Sequence, residues 1–229
     1  MSKKKIVVFT GAGISAESGL KTFRDGGGLW EEYNVEDVAT PEAWEKNPAL
    51  VLDFYNMRRR QAMHAKPNPA HLALVKLEKK FDVQIITQNI DDLHEKAGSK
   101  KVMHLHGEIT KCRSSIDESL VYPMKDPGLN LGQLCEKGSQ LRPHIVWFGE
   151  FVPMMDPAQV LAAQADIFLI IGTSLNVYPA AGLVNFVPEG APKFLIDPIA
   201  HSKDYIQNLT VIKETAGKGV PEIVDSLLK

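Results

Sequence analysis

Short runs of apolar residues recur along this chain, separated by longer stretches with helical spacing. The clearest apolar runs lie at 6–9, 82–87, 166–171 and 193–197. Their many β-branched residues are typical of strands buried on both faces of a parallel sheet. The clearest helical stretches lie at 41–61, 156–165 and 220–228. This alternation predicts an α/β fold with a doubly wound, mainly parallel, Rossmann-like sheet.

Two helix starts can be predicted in more detail. A turn at 67–71 begins a helix, and we expect that helix to bury one apolar face, formed by Leu72, Leu74, Val75 and Leu77. Asp156 and Pro157 are residue types preferred at the N-cap and the first helical position of the helix at 156–165.

Composition narrows the class of protein. We expect a single domain over 1–229 with a small inserted module at 110–142, where regular periodicity is lost. A net charge of −2 excludes a global attraction to nucleic acid or to an anionic membrane. We see no signal-peptide core and no apolar run near the roughly 20 residues of a membrane span. With only two cysteines, a cytoplasmic protein is expected, and a monomer, although the sequence leaves the oligomeric state open.

A glycine-rich stretch follows the first predicted strand. Gly11 and Gly13 precede a predicted helix, an arrangement that aims free backbone N–H groups and a helix dipole at a phosphate. Glycine also leaves room for a pyrophosphate that a Cβ would block. The next glycine is Gly19, six positions on, so the spacing differs from Gly-x-Gly-x-x-Gly. A tight turn without a ligand is the alternative.

Polar side chains follow several of the other strands. Gln88, Asn89 and Asp91 come after the strand at 82–87, and Asp197 ends the strand at 193–197. Ligands of open α/β sheets bind outside the carboxyl ends of the strands. The predicted strand before Gly107 places His104 and His106 on one face, so both could point to the same cleft.

Several motifs in this chain closely resemble those of the sirtuins, the NAD-dependent protein-lysine deacylases, in the same order. They are GAGISAESGL at 11–20, TFRD at 22–25, DVATP at 37–41, TQNID at 87–91, HLHGE at 104–108, WFGE at 147–150 and GTS at 172–174. The resemblance runs from about residue 5 to the end of the sequence and is strongest to short bacterial members.

The resemblance implies a cofactor site and a catalytic group. NAD is expected to bind Gly11, Ala12, Gly13, Ser15, Phe23, Arg24, Gln88, Asn89, Ile90, Asp91, Gly172, Thr173, Ser174, Asp197 and Ala216. His106 is expected to be the general base, with Asn89 and Asp91 as further catalytic residues, whereas His104 is expected to be structural. The implied reaction releases nicotinamide and transfers the acyl group of an acylated lysine to ADP-ribose.

The resemblance also implies substrate contacts. The substrate peptide is expected to add as a strand beside Val146, Trp147, Phe148, Gly149 and Glu150, although an ordinary buried strand would have the same pattern.

Tyr55 and Arg58 are three residues apart and share a helix face. In this family Tyr-x-x-Arg resembles the arrangement of members that remove succinyl and malonyl groups. The alternative is a solvated basic face, which we expect for Arg59 and Arg60.

Sirtuins usually carry two Cys-x-x-Cys pairs that hold zinc, and this chain departs from that pattern. Ser115 and Gly138 stand where the partners of Cys112 and Cys135 would be. Two thiolates make a poor tetrahedral site, so we expect no metal. The module is then expected to pack on the main domain through side chains that include Leu120, Tyr122, Leu131 and Leu134.

The sequence therefore predicts an NAD-dependent deacylase acting on acylated lysine peptides, with deacetylase and desuccinylase or demalonylase activity. Three alternatives remain: a dehydrogenase, which would leave the glycosidic bond of NAD intact, a non-catalytic NAD or ADP-ribose sensor, and an ADP-ribosyltransferase.

Overall fold

A computed structural model describes residues 3–22, 32–126, 128–200 and 205–229. Its main sheet is formed by β1 (Lys5–Thr10), β2 (Asp82–Thr87), β3 (Val102–His104), β7 (Ile167–Ile171), β8 (Lys193–Ile196) and β9 (Leu209–Ile212). The strands are parallel and lie in the order β3-β2-β1-β7-β8-β9. The chain thus adds β2 and β3 on one side of β1, crosses back, and then adds β7, β8 and β9 on the other side of β1. The predicted doubly wound sheet is confirmed, and its switch point lies between β1 and β7.

Helices cover both faces of this sheet. They are α1 (Gly13–Ala16), α2 (Val35–Val38), α3 (Pro41–Lys46), α4 (Pro48–His64), α5 (Pro69–Leu77), α6 (Leu93–Ala97), α7 (Met155–Ala162), a 3₁₀ helix (Ala180–Phe186) and α8 (Ala216–Leu228). Among the described helices, none combines the length and apolar character needed to cross a membrane.

Alternation along the central strands explains their continuous apolar sequence. In β1, Val7 and Phe9 pack into the core on one face of the sheet, whereas Ile6 and Val8 pack into the core on the other. Because successive side chains of a strand point to opposite faces, a strand covered on both sides needs apolar residues at every position. Both faces of the main sheet are therefore buried.

The two detailed helix predictions are each partly wrong. Helix α5 starts as expected, with Asn68 as its N-cap and His71 completing a capping box. Leu74 and Leu77 are buried, but Leu72 is 49% exposed, and Ala70 and Ala73 take the remaining buried positions. Small residues suffice there because α5 lies close against α8.

The N-cap of helix α7 lies two residues earlier than predicted. It is Met154, and Asp156 lies inside the first turn. An acidic side chain in that turn still interacts favourably with the positive end of the helix dipole.

A second, antiparallel sheet has the order β5-β4-β6 and comprises β4 (Gly107–Ser114), β5 (Val121–Pro123) and β6 (Leu141–Ile145). The module predicted at 110–142 falls within this part of the chain. The expected packing of Leu131 and Leu134 is wrong, because both are 55% exposed. A small core of Leu52, Cys112 and Leu129, with Tyr122 against it, joins this sheet to α4 instead.

The two cysteines of this sheet lie in different surroundings. Cys112 belongs to the apolar core beside α4, whereas Cys135 lies 3.3 Å from the Ser139 hydroxyl and 3.5 Å from the Ser114 hydroxyl. Those two hydroxyl oxygens are 2.8 Å apart. Within the described ranges, no group of three or more His, Cys, Asp or Glu side chains could hold a metal ion. Folding without zinc stays a prediction.

Candidate active site

A cavity of about 260 Å³ opens at the carboxyl ends of the main-sheet strands. Its lining includes residues 11–13 after β1, 88–90 after β2, 172–174 after β7 and Asp197 after β8. His106 and residues 145–150, at the end of the antiparallel sheet, form another part of the wall. Groups from four parallel strands therefore meet at the switch point, as the sequence predicted.

Three glycines let the loops after β1 and β7 touch. A Cβ on Gly11 would lie 2.7 Å from the Gly172 carbonyl oxygen, and a Cβ on Gly13 would lie 2.7 Å from the Gly172 Cα. Gly172 itself has a φ of +60°, a conformation that glycine adopts most readily. The glycines are thus required by contact between the two loops, which the sequence interpretation did not foresee.

The backbone N–H groups of Gly11 and Gly13 both have acceptors within the protein. The Gly11 N–H donates to the Ile171 carbonyl at 3.0 Å, and the Gly13 N–H donates to the Gly172 carbonyl at 2.9 Å. Helix α1 is only four residues long. These two amides therefore join segments of the fold, so a phosphate at this turn would use other backbone N–H groups, and phosphate binding here stays a prediction.

Asn89 is fixed by buried polar partners. Its side-chain amide donates to the Gly11 carbonyl and to the Ser15 hydroxyl, both at 3.1 Å. Ser15 in turn donates to the Asp91 carboxylate at 3.1 Å. Burial raises the pKa of Asp91, and hydrogen bonds from the Leu93 backbone and from Ser15 oppose that shift. Ser15 and Asp91 lie outside the cavity lining and support Asn89 from behind.

The two histidines of the HLHGE motif have different surroundings. The Nδ1 of His106 lies 3.1 Å from the Gln88 carbonyl oxygen, so in the neutral ring Nδ1 carries the proton and Nε2 the lone pair. Burial lowers the pKa of His106, which favours this neutral form. His106 lines the cavity, and the arrangement is that of a base ready to accept a proton.

His104 points away from the cavity and bridges two elements. Its Nδ1 lies 2.9 Å from the Asn89 carbonyl oxygen and its Nε2 lies 2.9 Å from the Glu95 carboxylate. Although burial opposes it, the hydrogen bond and charge of Glu95 raise the pKa of His104. The structural interpretation of His104 agrees with these contacts.

The remaining predicted cofactor residues are distributed as follows. The Gln88 amide donates to the Thr173 hydroxyl at 3.2 Å, so the loops after β2 and β7 are joined. Ser174 is exposed, and Asp197 lines the cavity while accepting a hydrogen bond from the Ile199 backbone at 3.0 Å. Ala216 is buried at the start of α8 and does not line the cavity. The predicted contacts of Phe23 and Arg24 lie outside the described residues.

Tyr55 and Arg58 line the same cavity as His106. Burial raises the pKa of Tyr55 to about 12, while the nearby charge of Arg58 works against that shift. Burial also lowers the pKa of Arg58, opposed by Tyr55 and Asp91. The side chains therefore place a phenol and a guanidinium in a largely apolar surrounding.

The expectation that Arg59 is solvated is wrong. Arg59 is 2% exposed, its Nε donates to the Ile109 carbonyl at 2.6 Å, and burial lowers its pKa to about 10. Helix α4 packs against β4 on this side, which the sequence of the helix alone does not reveal. Arg60 is exposed, as predicted.

Residues 146–150 leave the sheet after β6 ends at Ile145, so the ordinary-strand alternative is wrong for this segment. The Glu150 carboxylate receives hydrogen bonds from two Arg142 nitrogens at 2.7 and 3.1 Å and from the Trp147 backbone at 2.7 Å. An Arg113 guanidinium nitrogen also lies 3.3 Å from the Glu150 carboxylate. Glu150 therefore holds the segment in place with its carboxylate.

Further lining residues escaped the sequence interpretation. They are Thr22, Ala39, Phe54, Ile145, Val152, Val177, Tyr178, Pro179 and Ile199. Residues 177–179 could have been found, because they follow β7 at the end of the sheet where ligands bind. Phe54 and Ile145 could not have been found, because in the sequence an apolar residue that lines a cavity cannot be distinguished from one that packs in the core.

Comparison with known proteins gives one consistent answer. The Sir2 family profile matches residues 11–179. An NAD-dependent protein deacylase of Bacteroides thetaiotaomicron is 51% identical, over 98% of each chain. One from Helicobacter pylori is 51% identical, over 99% of this chain and 98% of that one.

Solved structures agree. A Sir2 homologue in complex with NAD is 38% identical with a TM-score of 0.88, over 99% of this chain and 90% of that one. A Sir2 protein with a deacetylated p53 peptide and 3′-O-acetyl ADP-ribose is 30% identical with a TM-score of 0.83, over 98% of this chain and 94% of that one.

Proposed function

This chain belongs to the Sir2 family, and on that premise we propose that it is an NAD-dependent protein-lysine deacylase that accepts acyl chains ending in a carboxylate. One observation carries the proposal: His106, with its lone pair on Nε2, lines the same cavity as Tyr55 and Arg58. A proton acceptor and a binding site for an anion thus share one cavity. We also propose that it acts in the cytoplasm on acylated lysines of proteins.

The residues at the strand ends fit NAD. The Gln88 and Asn89 amides, the Thr173 hydroxyl and the Asp197 carboxylate face one cavity and offer both donors and acceptors to a ribose or an amide. Gly11 and Gly13 leave no side chain between the loops. When bound, NAD supplies a glycosidic bond whose nicotinamide leaves and a ribose that takes up the acyl group.

The side chains of the protein then have separate tasks. His106 keeps a proton on Nδ1, bonded to the Gln88 carbonyl, and accepts a proton at Nε2 from a hydroxyl group of the bound cosubstrate. Asn89 is oriented by Gly11 and Ser15, so its position is set before any ligand binds. The apolar wall near Tyr55 limits the access of water to the acyl group.

Tyr55 and Arg58 favour acyl chains with a terminal carboxylate. A carboxylate buried without a partner would be strongly disfavoured. A guanidinium can pair with it in a bidentate manner, and a phenol hydroxyl can add another hydrogen bond. Each hydrogen bond to a charged group contributes about 1.5–3 kcal/mol. One such bond is sufficient to favour the charged chain by about tenfold, whereas acetyl-lysine gains nothing from it.

The activity itself is tested by mass spectrometry of acetylated and succinylated peptides incubated with and without NAD. Free lysine, nicotinamide and O-acyl-ADP-ribose are the expected products, and His106→Ala should lower their formation by about 10²–10⁴-fold while NAD still binds. Formation of NADH would indicate a dehydrogenase. Addition of ADP-ribose to the peptide would indicate a transferase, and binding without turnover would indicate a sensor.

The acyl preference is tested on the two helix residues. Arg58→Met and Tyr55→Phe should each impair desuccinylation far more than deacetylation. Arg60→Met is the matched control, because Arg60 is on the same helix and exposed, and it should change neither rate. Equal losses on both substrates, or a wild-type protein that does not turn over succinyl-lysine, would contradict the proposed preference.

A further inference from the structure

The indole N–H of Trp147 is a buried donor that makes no complete hydrogen bond. Its side chain is 3% exposed, and within the described part of the chain its Nε1 has no hydrogen-bond partner. Buried N–H groups are nearly always paired, so an unpaired one calls for an explanation. Trp147 also lines the cavity together with Tyr55 and Arg58.

The hydroxyl group of Tyr55 is a candidate acceptor for this N–H. Trp147 and Tyr55 belong to the same buried cluster, and the Trp147 indole N–H lies close enough to lower the pKa of the Tyr55 hydroxyl. The pair nevertheless falls short of full hydrogen-bond geometry.

The indole ring is held in place from outside the cavity. The Arg142 guanidinium carbon lies 3.2 Å from the ring centroid, and Arg142 is in turn paired with Glu150 at 2.7 Å. The Trp44 ring packs against the same indole with centroids 5.8 Å apart. A cation over the ring face polarises the ring and strengthens the N–H as a donor. Neither Arg142 nor Trp44 lines the cavity, so the indole is packed from its far side.

We propose that Trp147 is a positioning residue for acyl selectivity: its indole N–H donates to the Tyr55 oxygen and so directs the Tyr55 hydroxyl proton to the end of the acyl chain. A phenol has one proton to donate. Once its oxygen accepts from Trp147, that proton is left for an acceptor in the cavity beside Arg58. The inference rests on the proposed function, because it matters only for acyl chains that carry a carboxylate.

The test removes the N–H and keeps an aromatic ring. Trp147→Phe is assayed on succinyl-lysine and on valeryl-lysine, which has nearly the same length without the charge. The ratio of the two kcat/KM values should fall by about five- to tenfold, mainly through KM for succinyl-lysine, as expected for one lost hydrogen bond. Arg60→Met, at an exposed position on the helix that carries Tyr55, is the control and should leave the ratio unchanged.

A double-mutant cycle decides whether Trp147 acts through Tyr55. In a Tyr55→Phe background the hydroxyl is absent, so Trp147→Phe should no longer change the ratio. If Trp147→Phe does not fold, incorporation of benzothienylalanine at this position keeps the bicyclic shape and replaces the N–H with sulfur.

Two results would overturn the inference: an unchanged ratio in Trp147→Phe, which includes an equal loss on both substrates, or a fall in the ratio that persists without the Tyr55 hydroxyl. In each case a wild-type preference for succinyl-lysine would leave the proposed function standing. A wild-type protein that does not prefer succinyl-lysine over valeryl-lysine would overturn both.

Discussion

The contact between the loops after β1 and β7 predicts a large effect for a single added methyl group. In Gly172→Ala the new Cβ would lie 2.3 Å from the Ile14 nitrogen and 2.5 Å from the Gly13 carbonyl carbon. These are backbone atoms and cannot rotate aside, so the two loops must separate. The left-handed conformation at φ +60° adds about 1–2 kcal/mol for alanine. Overpacking adds about 1–3 kcal/mol, so we expect a total loss of about 2–5 kcal/mol.

Gly138→Ala separates these two contributions. Gly138 has a φ of +74°, and no described heavy atom lies within 4 Å of its added Cβ, so only the conformational cost of about 1–2 kcal/mol applies. Urea unfolding at pH 7 measures both variants, and calorimetry measures their NAD affinity. Gly172→Ala should also weaken NAD binding, since residues 11–13 move, whereas Gly138→Ala should not. Equal losses of stability in the two variants would refute the argument from loop contact.

Three further predictions concern buried charge. Burial lowers the pKa of His71 from 6.5 to about 4, so the folded state loses about 2–3 kcal/mol of stability as pH falls from 7 to 4.5. Urea unfolding of His71→Gln, which keeps a capping side chain, should show a smaller loss over that range. The lowered pKa of His106 places the acid limb of the kcat/KM profile below pH 6.5, and a limb above pH 7 would contradict its role as base. Arg142→Met removes two hydrogen bonds to Glu150 and leaves Arg113 at 3.3 Å, so it should cost about 1.5–3 kcal/mol in denaturant unfolding, whereas Arg59→Met, which removes one hydrogen bond to a carbonyl, should cost less.

The main sheet could be predicted because its information is local. Every position of β7 is apolar, and so are the four central positions of β1, and that pattern alone indicates burial on both faces. The rule that ligands bind at strand ends then places Gln88, Asn89 and Asp197 at one edge, where they line the same cavity. The family motifs added His106 and the Tyr55–Arg58 pair, for which spacing alone was ambiguous.

The errors concern contacts between segments that are distant in the sequence. Arg59 is buried because α4 packs on β4, and its carbonyl partner is Ile109, 50 residues away. Leu131 and Leu134 are exposed because their part of the chain packs through Leu129 instead. Neither helical spacing nor composition carries that information. The acceptors of the Gly11 and Gly13 N–H groups could not be predicted for the same reason, since they are Ile171 at the end of β7 and Gly172 just after it.

Two of the motifs combine a residue that lines the cavity with a nearby residue whose hydrogen bond fixes the position of the first. Asn89 lines the cavity, and Asp91, two positions on, bonds the Ser15 hydroxyl that orients it. Trp147 lines the cavity, and the Glu150 carboxylate, three positions on, bonds the Trp147 backbone. A change in either member of such a pair should therefore alter the site. We expect a conservative substitution that preserves the hydrogen bond of the supporting member to retain activity, whereas no substitution should replace the lone pair of His106.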